Sequence, residues 1–237
     1  MTYCVALKLR EGLVLCSDSR TNAGVDHIAS FRKLSVFDIP GDRVIFLQCA
    51  GNLASTQSVI NILRHGIQHE ERHILNVGSL FEVAELIGRT IRHVISRDEG
   101  QNQGIDFGCN ILVSGQIKGD EPSLFHVYPQ GNFIEATEDT PYFQIGESKY
   151  GKPILDRVIT WETPLAKGIQ CALISMDSTL RSNLSVGMPL DTISYPANLL
   201  DNPGIRRLDE NDEHFLKLRT AWSDGLKNLF NELPEFF

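Results

Sequence analysis

A chain of 237 residues with 42% apolar, 22% charged and 8% aromatic side chains has the composition of a globular protein with a substantial buried core, which excludes a disordered polymer. The net charge of -8 opposes counterion-release binding to DNA or RNA, which needs clustered Lys and Arg, so no nucleic-acid partner is expected. The N-terminus lacks a basic leader followed by an apolar run, and no later stretch approaches the roughly 18 apolar residues of a membrane span, so a cytoplasmic location without membrane contact is expected.

In chain order, two short apolar runs, Tyr3 to Leu9 and Leu13 to Asp18, are separated by Arg10-Glu11-Gly12 and read as a β-hairpin. A second strand pair, Lys33 to Phe37 and Arg43 to Ala50, is broken at Pro40-Gly41-Asp42. After Gly51 the apolar period becomes helical. Val59, Leu63 and Ile67 mark one helix (Leu53 to Glu71); Leu80, Ala84, Ile87, Ile91 and Val94 mark another (Leu80 to Arg97), with Ser79 as its N-cap. Past the polar stretch Arg97 to Asp106, strands are expected at Cys109 to Ser114, Leu124 to Tyr128, Phe133 to Ala136 and Tyr142 to Ile145. Helical patterns return at Lys149 to Val158 and Leu165 to Leu180, followed by short strands near Leu190 to Ser194 and Ile205 to Leu208. The last helix carries Phe215, Leu218, Trp222, Leu226 and Leu229 on one face, and acids at its start suit the positive end of the helix dipole.

No low-complexity linker or short repeat divides the chain, so a single domain over 1–237 is expected, with a sandwich core from Thr2 to Leu208 and a C-terminal helix and tail over 209–237. Hairpin connections followed by helices favour an α+β class with two antiparallel sheets packed together and covered by helices, a four-layer α/β/β/α sandwich. A parallel doubly wound sheet is the alternative, but it requires helices between its first strands, and none is readable there.

Five cysteines (Cys4, Cys16, Cys49, Cys109, Cys171) stand far apart without a CxxC pair and read as reduced core residues of a reducing compartment. His65, His69 and His73 have the i, i+4, i+8 spacing that on a straight helix would share a face and could bind zinc. Gly66 and the run Glu70-Glu71-Arg72 instead indicate a solvated helix end, and neither a metal nor another cofactor is expected. There is no GxGxxG, phosphate loop or GxSxG elbow.

Thr2 follows Met1, and a small second residue permits removal of the methionine to leave a hydroxyl beside a free α-amine. Many proteins begin this way. The context is more telling: the stretch TYCVALKLREGLVLCSDSRTNAG, then FRKL, then CAGN, with GESKY and RSNLSVG in the second half, resembles proteasome β-type subunits and, more closely, the bacterial Anbu (ancestral β subunit) group. This N-terminal nucleophile hydrolase resemblance spans nearly the whole chain and rests on five motifs in order.

The resemblance implies a threonine peptidase. Thr2 corresponds to the nucleophile, activated by its own α-amine; Lys33 to the cation beside it; Asp18 to the acid holding Lys33; and the Gly51 amide to the oxyanion donor. Ser148 and Ser185 match serines near the terminal amine. Where the family's helix-end motif carries an acid this sequence has Ser182, and Asp177 lies about 140° around the helix from that position. Thr21, Phe31, Ser35 and Cys49 match the pocket for the residue before the cut, implying a small and mildly apolar pocket, and Asn22 matches a substrate-backbone contact. The implied partners are further copies of the chain, in a ring-like or spiral assembly through the helices at Leu53 to Glu71 and Leu80 to Arg97, and peptide or unfolded-protein substrate. Two other activities fit the same residues: a weak or inactive self-assembling scaffold, suggested by Ser182, and an amidase of the same superfamily.

Overall fold

The computed structural model describes residues 2–22, 28–99 and 104–236. One five-stranded sheet has the order β10-β1-β2-β11-β12: β1 is Tyr3–Leu9, β2 Gly12–Ser17, β10 Tyr142–Gly146, β11 Leu190–Pro196 and β12 Arg206–Leu208. The other has the order β5-β6-β7-β8-β9: β5 is Leu34–Ile39, β6 Arg43–Gly51, β7 Cys109–Ile117, β8 Ser123–Val127 and β9 Phe133–Glu135. Every pairing is antiparallel, which rules out the doubly wound alternative. A small ribbon of β3 (Arg20–Asn22) and β4 (Ile28–Ser30) is an element the apolar pattern did not reveal, because Arg20-Thr21-Asn22 is wholly polar and Ile28-Ala29-Ser30 carries a single large apolar side chain.

The central strands read as continuous apolar runs because both of their faces are covered. In β1, Tyr3, Val5, Leu7 and Leu9 face one apolar cluster with Cys171, Ala172 and Met176, while Cys4 and Ala6 face the other sheet. In β6, Ile45, Leu47 and Cys49 meet helices, and Val44, Phe46 and Ala50 close the space between sheets. The period of two thus survives as a division between two buried layers.

Helices α1 (Leu53–His69) and α2 (Leu80–Glu99) cover the second sheet through Val59, Leu63, Val83, Ile87 and Ile91. The expected cap at Ser79 is present: its hydroxyl accepts from Glu82 N at 3.2 Å. Helix α1 ends two residues earlier than the apolar pattern indicated, where Glu70 turns to an extended conformation. On the opposite face, α3 (Lys152–Val158) and α4 (Leu165–Ser182) cover the first sheet. Gly168 lets α4 approach closely, since a Cβ there would stand 2.6 Å from Leu9 Cδ1. The layers are therefore α/β/β/α, as expected.

Helix α5 (Glu213–Glu232), capped by Asp212 accepting from Phe215 N at 2.8 Å, is docked through its first half only. Phe215 is buried, whereas Leu226 and Leu229 of the same stripe are exposed. The buried Asp177 carboxylate of α4 anchors this half by accepting from Arg219 of α5 as well as from Arg181. No helix among the described residues is long and apolar enough to cross a membrane.

Candidate active site

The site forms where β1 begins, β2 ends and β6 gives way to α1. Asp18, the residue after β2, is fully buried. Its Oδ1 accepts from Tyr3 N at 2.9 Å and from the Lys33 ammonium at 2.6 Å, while Oδ2 accepts from the backbone N–H groups of Arg20 and Gly187, each at 3.2 Å. Burial raises its carboxyl above the ordinary carboxylate value, and the Lys33 ammonium, followed by these N–H groups, opposes that rise. One carboxylate therefore fixes the start of β1, the lysine and two backbone segments.

Lys33 stands in the turn before β5, about nine-tenths buried, and also donates to Arg20 O at 2.7 Å. Its remaining exposure faces a cleft of about 680 Å³ that Thr2 and Gly51 also line. Gly51, at the end of β6, has φ +112, a region that favours glycine, and a Cβ there would stand 2.4 Å from Gly108 O. Asn52 then caps α1 by accepting from Ser55 N at 3.2 Å. The strand-to-helix change thus brings an exposed glycine to the cleft wall.

Of the expected substrate-contact residues, Thr21, Ser35 and Cys49 line this cleft. Phe31 does not; it is more than a third exposed beside the site, held by its N–H to Ser19 O at 2.8 Å. Asn22 is in β3, opposite Ile28. Asn61 and Arg64 of α1, together with Arg32 and Asn202, make the cleft larger and partly cationic. Asn61 and Arg64 come from a helix face and Asn202 from a distant loop, which strand spacing could not associate with the cleft, whereas Arg32 directly precedes Lys33. Burial holds the Cys49 thiol well above its ordinary value, so it stays protonated and is a poor competing nucleophile.

The second-half residues arrange themselves differently from the sequence expectation. The helix expected from Lys149 begins at Lys152, with Gly151 at its N-cap, so Ser148 lies in the turn before it, and its carbonyl accepts from Lys152 N at 3.2 Å. No hydrogen bond to Ser148 Oγ is found among the described residues. Ser185 lies past the end of α4, its N–H donating to Asn183 Oδ1 at 2.9 Å. Ser182 is the exposed last residue of α4. Asp177 faces α5, in agreement with the angular argument against its replacing an acid at position 182.

Two residues near Thr2 were missed. Glu147, only 6% exposed, donates its N–H to Thr2 O at 2.7 Å, and its Oε2 accepts from Asn183 Nδ2 at 3.0 Å. Glu147 stands within the GESKY motif, beside the serine that the resemblance singles out. Asn183 gave no separate signal. Neither was the helical alignment of three histidines realised: His65 and His69 rings stack at 4.1 Å, while His73 lies beyond α1 and its Nδ1 accepts from Leu75 N. Met1 lies outside the described residues.

Comparison with known proteins gives one family. The model of the proteasome subunit family matches residues 2–188. Proteasome subunit beta 2 of Nitrosopumilus maritimus (strain SCM1) is 26% identical over 215 residues, covering 88% of this chain and 90% of its own. The structure of Anbu (ancestral beta-subunit) from Yersinia bercovieri is 55% identical, with a TM-score of 0.95 and coverage of 100% and 99% of the two chains. That of a helical assembly of the Anbu complex from Pseudomonas aeruginosa is 52% identical, with a TM-score of 0.96 and coverage of 99% and 98%. With its two antiparallel sheets between helical layers and Thr2 beside a buried lysine–carboxylate pair, the chain belongs to the proteasome subunit family, as an Anbu-type β-subunit homologue.

Proposed function

We propose that the chain is a threonine peptidase of the proteasome type, with Thr2 as nucleophile after removal of Met1. The observation that carries this reading is the position of Thr2 on the cleft wall, with the Lys33–Asp18 pair and Gly51 at the same cleft. The α-amine of Thr2 takes the proton from its own hydroxyl as Oγ attacks the scissile carbonyl. With an ordinary value of about 7.7 to 8.0, such an amine is partly unprotonated near neutrality. The Lys33 ammonium stabilises the negative charge developing on oxygen, and the Gly51 amide serves as oxyanion donor. The amine returns the proton to the leaving nitrogen, forming an ester on Thr2. Water, deprotonated by the same amine, then attacks that ester, releases the acid and restores the hydroxyl.

The cleft suits an extended peptide: Thr21 and Ser35 lie on strands along it, and Arg32 and Arg64 favour acidic or polar side chains on the substrate. The helical assembly of the P. aeruginosa relative supports self-association, for which the exposed faces of α1 and α2 are the proposed contacts. Five buried, unpaired cysteines support a cytoplasmic, reducing location. No cofactor enters the proposed reaction.

Hydrolysis of peptide libraries by native protein and by a Thr2→Ala variant tests the reading. Cleavage by the native protein alone supports it; equal cleavage by both refutes it, and a preference for simple acyl amides would assign an amidase. A scaffold without turnover is the second reading, favoured by the exposed Ser182 where the family carries an acid. That reading requires assembly without cleavage of any library member.

A further inference from the structure

Buried carboxylates around the first sheet are unequally matched. Asp18 has Lys33 at 2.6 Å, and Asp177 has Arg181 and Arg219. Glu147, although 6% exposed, has no Lys, Arg or His in salt-bridge reach among the described residues. Among the described residues its carboxylate accepts from Lys149 N at 3.2 Å and Asn183 Nδ2 at 3.0 Å. Two neutral donors leave much of the desolvation of a buried carboxylate uncompensated.

Its position identifies the missing cation. Strand β1 pairs with β10 so that Tyr3 opposes Gly146. One step further Glu147 opposes Thr2, and the 2.7 Å bond from Glu147 N to Thr2 O continues the pairing. Thr2 and Glu147 thus sit side by side just beyond the ends of the two strands, with Gly146 at φ +84 turning the chain into Glu147. Removal of Met1 creates an α-amine on Thr2, a cation that the chain lacks until it is processed.

We infer that Glu147 is a positioning residue for the Thr2 α-amine, supplying from the β10–α3 turn the negative charge that Ser182 cannot supply from the end of α4. Asn183 completes the device. Its amide nitrogen donates to Glu147 while its Oδ1 accepts from Ser185 N, so the carboxylate is braced by the same loop whose Gly187 N–H reaches Asp18. The inference deepens the peptidase reading and rests on it for its catalytic meaning.

Other charges face this region from each element packed on it. Asp18 follows β2 and is bound to Lys33. Arg20 of β3 donates to Leu184 O, Lys149 is exposed on the Glu147 turn, and Arg181 and Arg219 are both held by Asp177. A shift in the amine's titration is therefore assigned to Glu147 only by substitution.

The test uses protein whose chain begins at Thr2, released from a cleavable fusion. The rate of α-amine acylation by a dilute reagent, read by mass on the N-terminal peptide from about pH 6 to about pH 10, gives the amine's apparent pKa. In Glu147→Gln, which keeps the shape and one of the two acceptor oxygens that serve Lys149 N and Asn183 Nδ2 but loses the charge, that value is expected to fall by about one unit or more. Asn183→Ala removes a donor but keeps the charge, so it should leave the value unchanged or raise it.

An unchanged value in Glu147→Gln, or a fall of equal size in both variants, overturns the inference and makes Glu147 a structural tie. If Glu147→Gln does not fold, a fall in Asn183→Ala overturns it and a rise supports it. The titration needs no turnover. A shifted amine on a protein that cleaves nothing defeats the peptidase reading alone, and an active protein with an unshifted amine defeats this inference alone.

Discussion

Replacing Lys33 with methionine leaves the stem of the side chain in place and deletes its ammonium, so the fully buried Asp18 loses its 2.6 Å partner. Breaking one side of a buried ion pair costs about 3–5 kcal/mol, because the remaining charge is left unmatched. Asp18 keeps N–H bonds from Tyr3 at 2.9 Å and from Arg20 and Gly187 at 3.2 Å, which soften the loss. We therefore expect the low end, about 3 kcal/mol at pH 7, seen as a fall of roughly 6–12 °C in Tm for a domain of this size. Thermal and urea unfolding at matched protein concentration measure it. The sign with pH follows from linkage. Without Lys33, burial raises the folded-state carboxyl further above its unfolded value, so the folded state binds the extra proton. Stability of the variant relative to native is then lowest above the folded value, and recovers as pH falls through it toward the unfolded value near 3.9. Adding Asp18→Asn removes the unmatched charge and should restore part of the loss at pH 7. A deficit below about 1 kcal/mol that is flat with pH would refute the assignment of this pair as the anchor of the site.

Three further outcomes follow from the geometry. Gly146→Ala is expected to cost at least about 2 kcal/mol in unfolding experiments and to lower Thr2 reactivity, because φ is +84 and the new Cβ would stand 1.9 Å from Thr2 O. A Gly146→Ala protein as stable and reactive as native would contradict the close pairing of β1 and β10. Arg219→Met should speed hydrogen exchange along α5 with little change in the β1 amides, since Asp177 holds that helix while Arg181 still pairs with it. His126, whose Nε2 lies 3.0 Å from Asn110 Oδ1, is pushed down to about 4 by burial. Its folded value lies below the unfolded one, so the stability it contributes is full above about pH 6.5 and is lost as pH falls toward 4. A proton NMR titration of the ring should find the low value, and His126→Gln should flatten that part of the stability curve.

The fold was readable wherever elements were long and covered on two faces. Tyr3–Leu9 and Arg43–Gly51 are runs that only a strand between two layers explains, and the helical periods after Asn52 and Ser79 begin at side chains that do cap their helices. Short strands without an apolar pattern were not readable, as β3 and β4 show, whereas the equally short β9 and β12 carry apolar residues that mark them. Nor could periodicity distinguish the docked half of α5 from its exposed half: the stripe continues through Leu226 and Leu229, but the partner surface ends near Arg219.

The candidate site divides in the same way. Thr2, Asp18, Lys33 and Gly51 lie on or beside the first six strands, where register fixes position, and they converge. The helix expected from Lys149 starts at Lys152, which leaves Ser148 in the turn before it. Glu147 and Arg64 enter the site through an irregular turn and a helix face, so their contribution depends on tertiary packing that local sequence pattern does not encode.

The central claim is that Thr2 is an N-terminal nucleophile set beside Lys33. It is tested most directly by treating native protein and Thr2→Ala with a threonine-directed electrophile and mapping the adduct on the intact and digested chains by mass. The account predicts a native mass lacking Met1, one adduct on the Thr2 peptide, and none on Thr2→Ala. Retained Met1 in protein made with normal aminopeptidase activity, or the same adduct on both proteins, would contradict it.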